Sequence, residues 1–150
     1  MADSLHINSL NKASHAQVRV LPRAVGGLLT ASRQGLADAE AAQVAGERYA
    51  LAHLAALRAA AAVLASRTRP QSRRGRPVSA WRLLSDVAPE LGEWATFFAA
   101  GAGKRAAAEA GLPVVSQREA DDLIRDSERF LLAAVSLLGL VQQPSLSLSA

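Results

Sequence analysis

ERYALAHLAALRAAAAVLASR, residues 47–67, decides the fold. Alanine and leucine are strong helix formers, alanine because it loses no side-chain entropy in a helix. Leu54, Leu57, Ala61 and Leu64 recur at three- and four-residue spacing, which places them on one face of a helix running from about Glu47 to Arg67. The alanines around them let neighbouring helices approach closely. Pro70 ends the run.

Upstream, Gly46 marks a break, and a first helix is expected from about Leu28 to Ala42, carrying Leu28, Leu29, Leu36 and Ala39 and weakened by Gly35. Before it, Pro22 and the Gly26-Gly27 pair interrupt any helical pattern, so residues 1–24 read as a flexible arm. Downstream, residues 71–77 form a loop, and Ser79 is placed to cap a short third helix bearing Trp81, Leu83, Leu84 and Val87. Pro89 suits the first turn of a fourth helix, which carries Leu91, Trp94, Ala95 and Phe98 and runs to about Ala110. Gly111 and Pro113 stop it. Ser116 and Glu119 then have capping-box spacing ahead of a fifth helix, with Leu123, Ile124, Leu131, Val135 and Leu138 on its buried face. Residues 141–150 read as a disordered tail. The expectation is one all-α domain over residues 25–140, an antiparallel bundle of four to five helices.

Composition agrees. Half of the 150 residues are hydrophobic but only 4% are aromatic, so alanine, leucine and valine carry the burial. Strand-favouring isoleucine, threonine and tyrosine are scarce. The absence of cysteine excludes disulfides and thiolate metal sites and fits a cytoplasmic protein. His6, His15 and His53 are too scattered for a local metal motif, and no cofactor is implied. No run of about 18 uncharged apolar residues offers a membrane span, and the N-terminus lacks the apolar stretch of a secretory signal.

Two sets of residues could carry chemistry. Arg48 and His53 are residue types that cooperate in RNA cleavage, the arginine holding a phosphate and the histidine moving protons near neutral pH. On one regular helix, however, five steps leave their side chains about 140° apart. The plain alternative is an ion-pairing Arg48 and a His53 that continues the Tyr49 face into the bundle. The second set is Arg67, Arg69, Arg73, Arg74 and Arg76, five arginines within ten residues, with Arg82 beyond. Such a segment can follow a phosphate backbone without reading sequence, although no aromatic ring is interleaved for base stacking. Its alternative is a solvated inter-helix loop. The net charge of +4 permits attraction to nucleic acid without demanding it.

Other patterns are better explained by structure. Gly101-Ala102-Gly103-Lys104 is not a phosphate loop, because Phe98 stands where a glycine is needed, Arg105 follows the lysine, and no strand precedes it. Trp81, Trp94, Phe97 and Phe98 are expected to form a packing cluster. Glu119, Asp121, Asp122, Asp126 and Glu128 alternate with Arg118, Arg125 and Arg129, as on a charge-balanced helix surface.

The stretch from Glu47 through Ala62 resembles a small actinobacterial family of the HEPN superfamily. The resemblance continues through Trp81-Arg82-Leu83-Leu84, Ala88-Pro89-Glu90-Leu91-Gly92-Glu93-Trp94, Phe97 to Gly101, Lys104 to Gly111, and Arg118 to Leu123. It implies a compact HEPN-like bundle, often a homodimer. Many relatives in the superfamily act on RNA with an arginine and a histidine four to six residues apart, a spacing that Arg48 and His53 meet; others bind nucleotides or regulate toxins. The combined expectation is a HEPN-like binding or regulatory module, associating with RNA or other nucleic acid through its arginine-rich loop. The alternatives are a metal-independent ribonuclease using Arg48 and His53 at a dimer interface, and a protein–protein interaction bundle. The sequence names no protein partner.

Overall fold

The computed structural model describes residues 22–67 and 78–139. Most of the expected flexible arm, the expected C-terminal tail, and Arg69, Arg73, Arg74 and Arg76 lie outside the described residues. Five α-helices form the described chain: α1 (Arg23–Ala41), α2 (Ala45–Arg67), α3 (Ala80–Val87), α4 (Gly92–Glu109) and α5 (Gln117–Leu137), with a 3-10 turn at Pro89–Leu91 leading into α4. No strand occurs among the described residues.

α2 is the hub and packs against each of the other four helices. Its buried face differs from the expected leucine stripe. Ala52, Ala55, Ala56, Ala59, Ala60 and Ala62 are fully buried together with Val63, whereas Leu54, Leu57 and Leu64 are only half-buried. The reason is steric: a helix surrounded by four others must present small side chains inward, so the bulky leucines are displaced to the seams. α2 is also long and apolar enough to cross a membrane by composition. Arg58 within it, and helices over its alanine faces, fit a core helix instead.

α1 begins five residues earlier than expected. Pro22 is its N-cap, and Gly26 and Gly27 lie inside the helix with open space beside them. Their intrinsic cost, roughly 1 kcal/mol each relative to alanine, is opposed by the complete burial of Val25 one residue before them and of Leu29 just after. Gly35, read from sequence as a weak point, is a contact. A Cβ there would stand 3.2 Å from the Ala55 Cβ, and the neighbouring Ser32 hydroxyl donates to the Ala55 carbonyl at 2.7 Å. Gly46 does not break the chain; it sits in the first turn of α2, facing Ala108 of α4.

The local stop and start signals hold. The Ser79 hydroxyl accepts from the Arg82 N–H at 3.2 Å. Gly111 takes φ +81°, with its N–H donating to Ala108 and the Leu112 N–H to Ala107, the paired bonds that close a helix on a left-handed residue. Ser116 and Glu119 exchange both bonds of a capping box.

These joints fix helix directions. Arg48 at the start of α2 touches the end of α1, while Ala55 meets Ser32, so α1 and α2 are antiparallel. α4 is likewise antiparallel to α2, since Gly46 lies by Ala108 and His53 by Phe98. At one end of the core, Trp81, Phe98 and Phe130 pack with centroids 4.9 to 5.9 Å apart, and Trp94 rests on Phe98 and Phe130.

Candidate functional site

Arg48, its side chain only 16% exposed, sits at the junction of three helices. Its Nη1 donates to the carbonyls of Ala39, Glu40 and Ala42 at 3.1, 2.8 and 2.9 Å, and its Nη2 meets the Asp121 carboxylate at 2.6 Å. The last carbonyls of any α-helix lack intrahelical partners and carry a partial negative charge. One guanidinium thus closes α1, holds the α1–α2 turn and ties in the N-terminal part of α5 through Asp121. All of these are contacts toward α1 and α5.

His53, one turn on, faces elsewhere. It is 1% exposed, its Nε2 donates to the Phe98 carbonyl at 3.0 Å, and its ring stands edge-on to Trp81 and Phe98 at 5.7 and 5.8 Å. A carbonyl can only accept, so the bond assigns the proton to Nε2 and leaves Nδ1 as a buried acceptor with no partner among the described residues. Burial pushes the imidazole below its ordinary value, against the Phe98 carbonyl, which favours the charged form; the charge of Arg105 adds to the lowering. The ring is therefore neutral at pH 7. The structure does not bring Arg48 and His53 to a common point.

Arg67 ends α2. Its two Nη atoms grip the Glu90 carboxylate at 3.2 and 2.8 Å, and Nη1 also reaches the Val87 carbonyl at 3.3 Å. That hydrogen bond holds the exposed Glu90 carboxyl below its ordinary value. The pairing clamps the end of α2 to the α3–α4 corner. The charge balance is uneven along the chain. Among the described residues ten arginines and Lys104 are set against twelve carboxylates, whereas residues 68–77 carry four arginines and no carboxylate. The bundle itself is close to neutral.

Four of the five acidic residues of α5 are engaged in ion pairs, Asp121 with Arg48 among them, while Glu128 faces Glu40, whose hydrogen bond pushes the Glu128 carboxyl up. Lys104 meets Glu119 at 2.5 Å, Arg125 pairs with Asp122, and Arg129 lies 3.5 Å from Asp126. With Lys104 and the Ser116 backbone both donating to it, the Glu119 carboxyl is held down at about 2. Among the described residues no cluster of histidine and carboxylate side chains is arranged to hold a metal ion.

Two concave features flank α4. A groove of about 550 Å³ separates the start of α2 from the end of α4, walled by Val44, Leu51, Leu54, Leu112 and Val115. On the other side a cavity of about 370 Å³ is lined by Tyr49, His53, Phe97, Gly101, Lys104 and Leu123. Sequence reasoning did not assemble this cavity, because Tyr49 and Lys104 meet only when α4 folds back along α2. A usable signal was present at Gly101: a Cβ there would lie 3.0 Å from the Tyr49 hydroxyl, so the glycine makes room for that phenol. Gly103 faces open space.

The features together define an all-α bundle with a capped and clamped frame and one loose flank along α4. A family model for SAV_6107-like HEPN matches residues 39–135, spanning the end of α1 through α5. The chain belongs to this HEPN family. Neither the search of curated proteins nor that of solved structures found a match.

Proposed function

We propose that this HEPN chain is a binding or regulatory module that associates with RNA or other nucleic acid through Arg69, Arg73, Arg74 and Arg76, working as a homodimer as many HEPN relatives do. The observation that carries the proposal is the charge distribution. The basic excess of the whole chain, +4, is concentrated in residues 68–77 while the described bundle is near neutral. Four guanidiniums without competing carboxylates suit a phosphate backbone, which rewards closely spaced cations through counterion release. The near-neutral frame would then serve to present them, with Arg67 anchoring the segment to Glu90.

Arg48 and His53 are better explained as parts of the frame. A phosphate would have to displace three carbonyls and a carboxylate from Arg48, and His53 would have to leave its aromatic surroundings to reach a substrate. The ribonuclease alternative is tested by incubating the chain with mixed RNA in a chelator. Cleavage that disappears in folded His53→Ala and Arg48→Ala variants would restore it; equal traces in all three would indicate contamination.

Association is tested by titrating labelled single-stranded RNA and duplex DNA across salt concentrations. Each lost phosphate contact should lower the slope of log affinity against log salt by about 0.7 for single strands and about 0.9 for duplex. Arg73→Ala with Arg74→Ala is expected to weaken binding roughly tenfold and to reduce the slope by two such contacts. Salt-independent affinity, or affinity unchanged by the double substitution, contradicts the proposal.

A further inference from the structure

The cavity between α2 and α4 continues into a second one of about 220 Å³ between α4 and α5, and the two share Tyr49, Phe97, Lys104 and Leu123. Their combined size is in the range of small-molecule sites, and their walls are mainly apolar. Three observations bear on what such a cleft would hold. First, Tyr49 is only 8% exposed, lines both cavities, and has a hydroxyl with no hydrogen-bond partner among the described residues. Burial of the ring pushes this phenol up, so it keeps its proton and offers the cavity a neutral hydroxyl that can donate or accept. Second, the three lining carboxylates are unequally committed. Glu119 is held by Lys104 at 2.5 Å and Asp122 by Arg125. Asp126 is the least committed carboxylate: its partner Arg129 is 3.5 Å away on a side chain that is 69% exposed, and exposed pairs of this kind are worth little. Third, the Phe97 ring is 45% exposed at the edge of both cavities.

The carboxylates do not gather into a set that could hold a metal ion. A cation carried on an apolar body remains. We propose that this cleft is a binding site for a small organic amine, its ammonium donating to the Asp126 carboxylate and the Tyr49 hydroxyl oxygen while its apolar or aromatic body rests on Phe97 and Leu123. Attraction of a cation to the aromatic faces of Phe97 and Tyr49 adds to the selection. Lys104 takes no part in recognition; with Glu119 it closes one wall. The site is independent of the arginine-rich connection between α2 and α3, so either can fail without the other.

The test uses two probes of matched shape and opposite charge, 2-phenylethylamine and 3-phenylpropionate, titrated into the full chain by calorimetry and by NMR. The amine is expected to bind with a Kd on the order of 1 mM, as suits a ligand of so few atoms, and to shift the resonances of Tyr49 and Phe97. The carboxylate is expected to bind at least tenfold more weakly. Asp126→Asn should weaken the amine at least fivefold and Tyr49→Phe about threefold, both with unchanged far-ultraviolet spectra because both are nearly isosteric. Equal or tighter binding of the carboxylate, no binding of the amine at ten times the expected Kd, or an amine affinity indifferent to both substitutions overturns the proposal.

Discussion

α2 has two sides that are packed by different rules. Toward α1 it is closed: Ala55 meets Gly35 and Ser32 at contact distance, the Ser32 hydroxyl bonds to the Ala55 backbone, and Arg48 seals the end of the seam. Toward α4 it is open: beyond Phe98 the helices diverge enough to leave cavities of about 370 and 550 Å³. Both sides use small residues, yet only one is tight. Small side chains permit close approach but do not enforce it; on the α1 side the enforcement comes from polar clamps at Ser32 and Arg48. On the α4 side the large rings at Phe98 and Trp94 hold one end together, and past them α4 shows the half-exposed Gly101, Ala102 and Ala107.

Substitutions can break the contrast. Arg48→Ala leaves α1 carbonyls and Asp121 without their cation, and should destabilise the fold by about 2–4 kcal/mol in urea unfolding. Arg48→Lys should recover only part of this, because one ammonium cannot span three carbonyls and a carboxylate. Gly35→Ala puts a Cβ 3.2 Å from the Ala55 Cβ, which sits on a fixed helix, so a loss of about 1–3 kcal/mol is expected despite the better helix propensity of alanine. Gly101→Ala is the matched change on the open side. Its Cβ meets the Tyr49 hydroxyl, which borders a cavity and can shift, while alanine gains about 1 kcal/mol of helix propensity; the net effect should stay within about 1 kcal/mol of zero. If the two glycines respond alike, the proposed asymmetry is wrong.

The smallest expected effect depends on pH. The unfolded His53 takes up a proton near the ordinary value of 6.5, the folded one only at lower pH. Between those values the unfolded chain binds more protons, so the stability tied to the neutral ring is complete above about pH 6.5 and is lost as pH falls below it. Urea midpoints measured from pH 7.5 to 5 should decline in the native chain, and His53→Phe should flatten that part of the decline.

Much of the frame was legible in the sequence because its signals are local. Ser79, Gly111 with Pro113, and Ser116 with Glu119 act within a turn of themselves, and each behaves as its spacing implies. The inward face of α2 was misread because leucines were ranked above alanines, whereas a helix with four neighbours buries its smallest side chains. Gly26 and Gly27 looked like breakers because the burial of Val25 and Leu29 is a tertiary fact. The candidate site was legible only as residue types. Arg48 and His53 have the spacing of a catalytic pair, and the helical angle between them correctly pointed to different neighbours. That Arg48 would close α1 could not be read, because the carbonyls it satisfies belong to another helix. The cleft at Tyr49 required α4 to be folded back before its parts could be seen together.

The imidazole of His53 offers the most direct measurement. A nitrogen-15 NMR spectrum of the ring nitrogens at pH 7 is predicted to show a neutral ring protonated at Nε2, titrating only below 6.5 and unmoved by added RNA. An imidazolium at pH 7, a proton on Nδ1, or a ring whose signals shift on RNA addition in step with cleavage would contradict a histidine built into the frame.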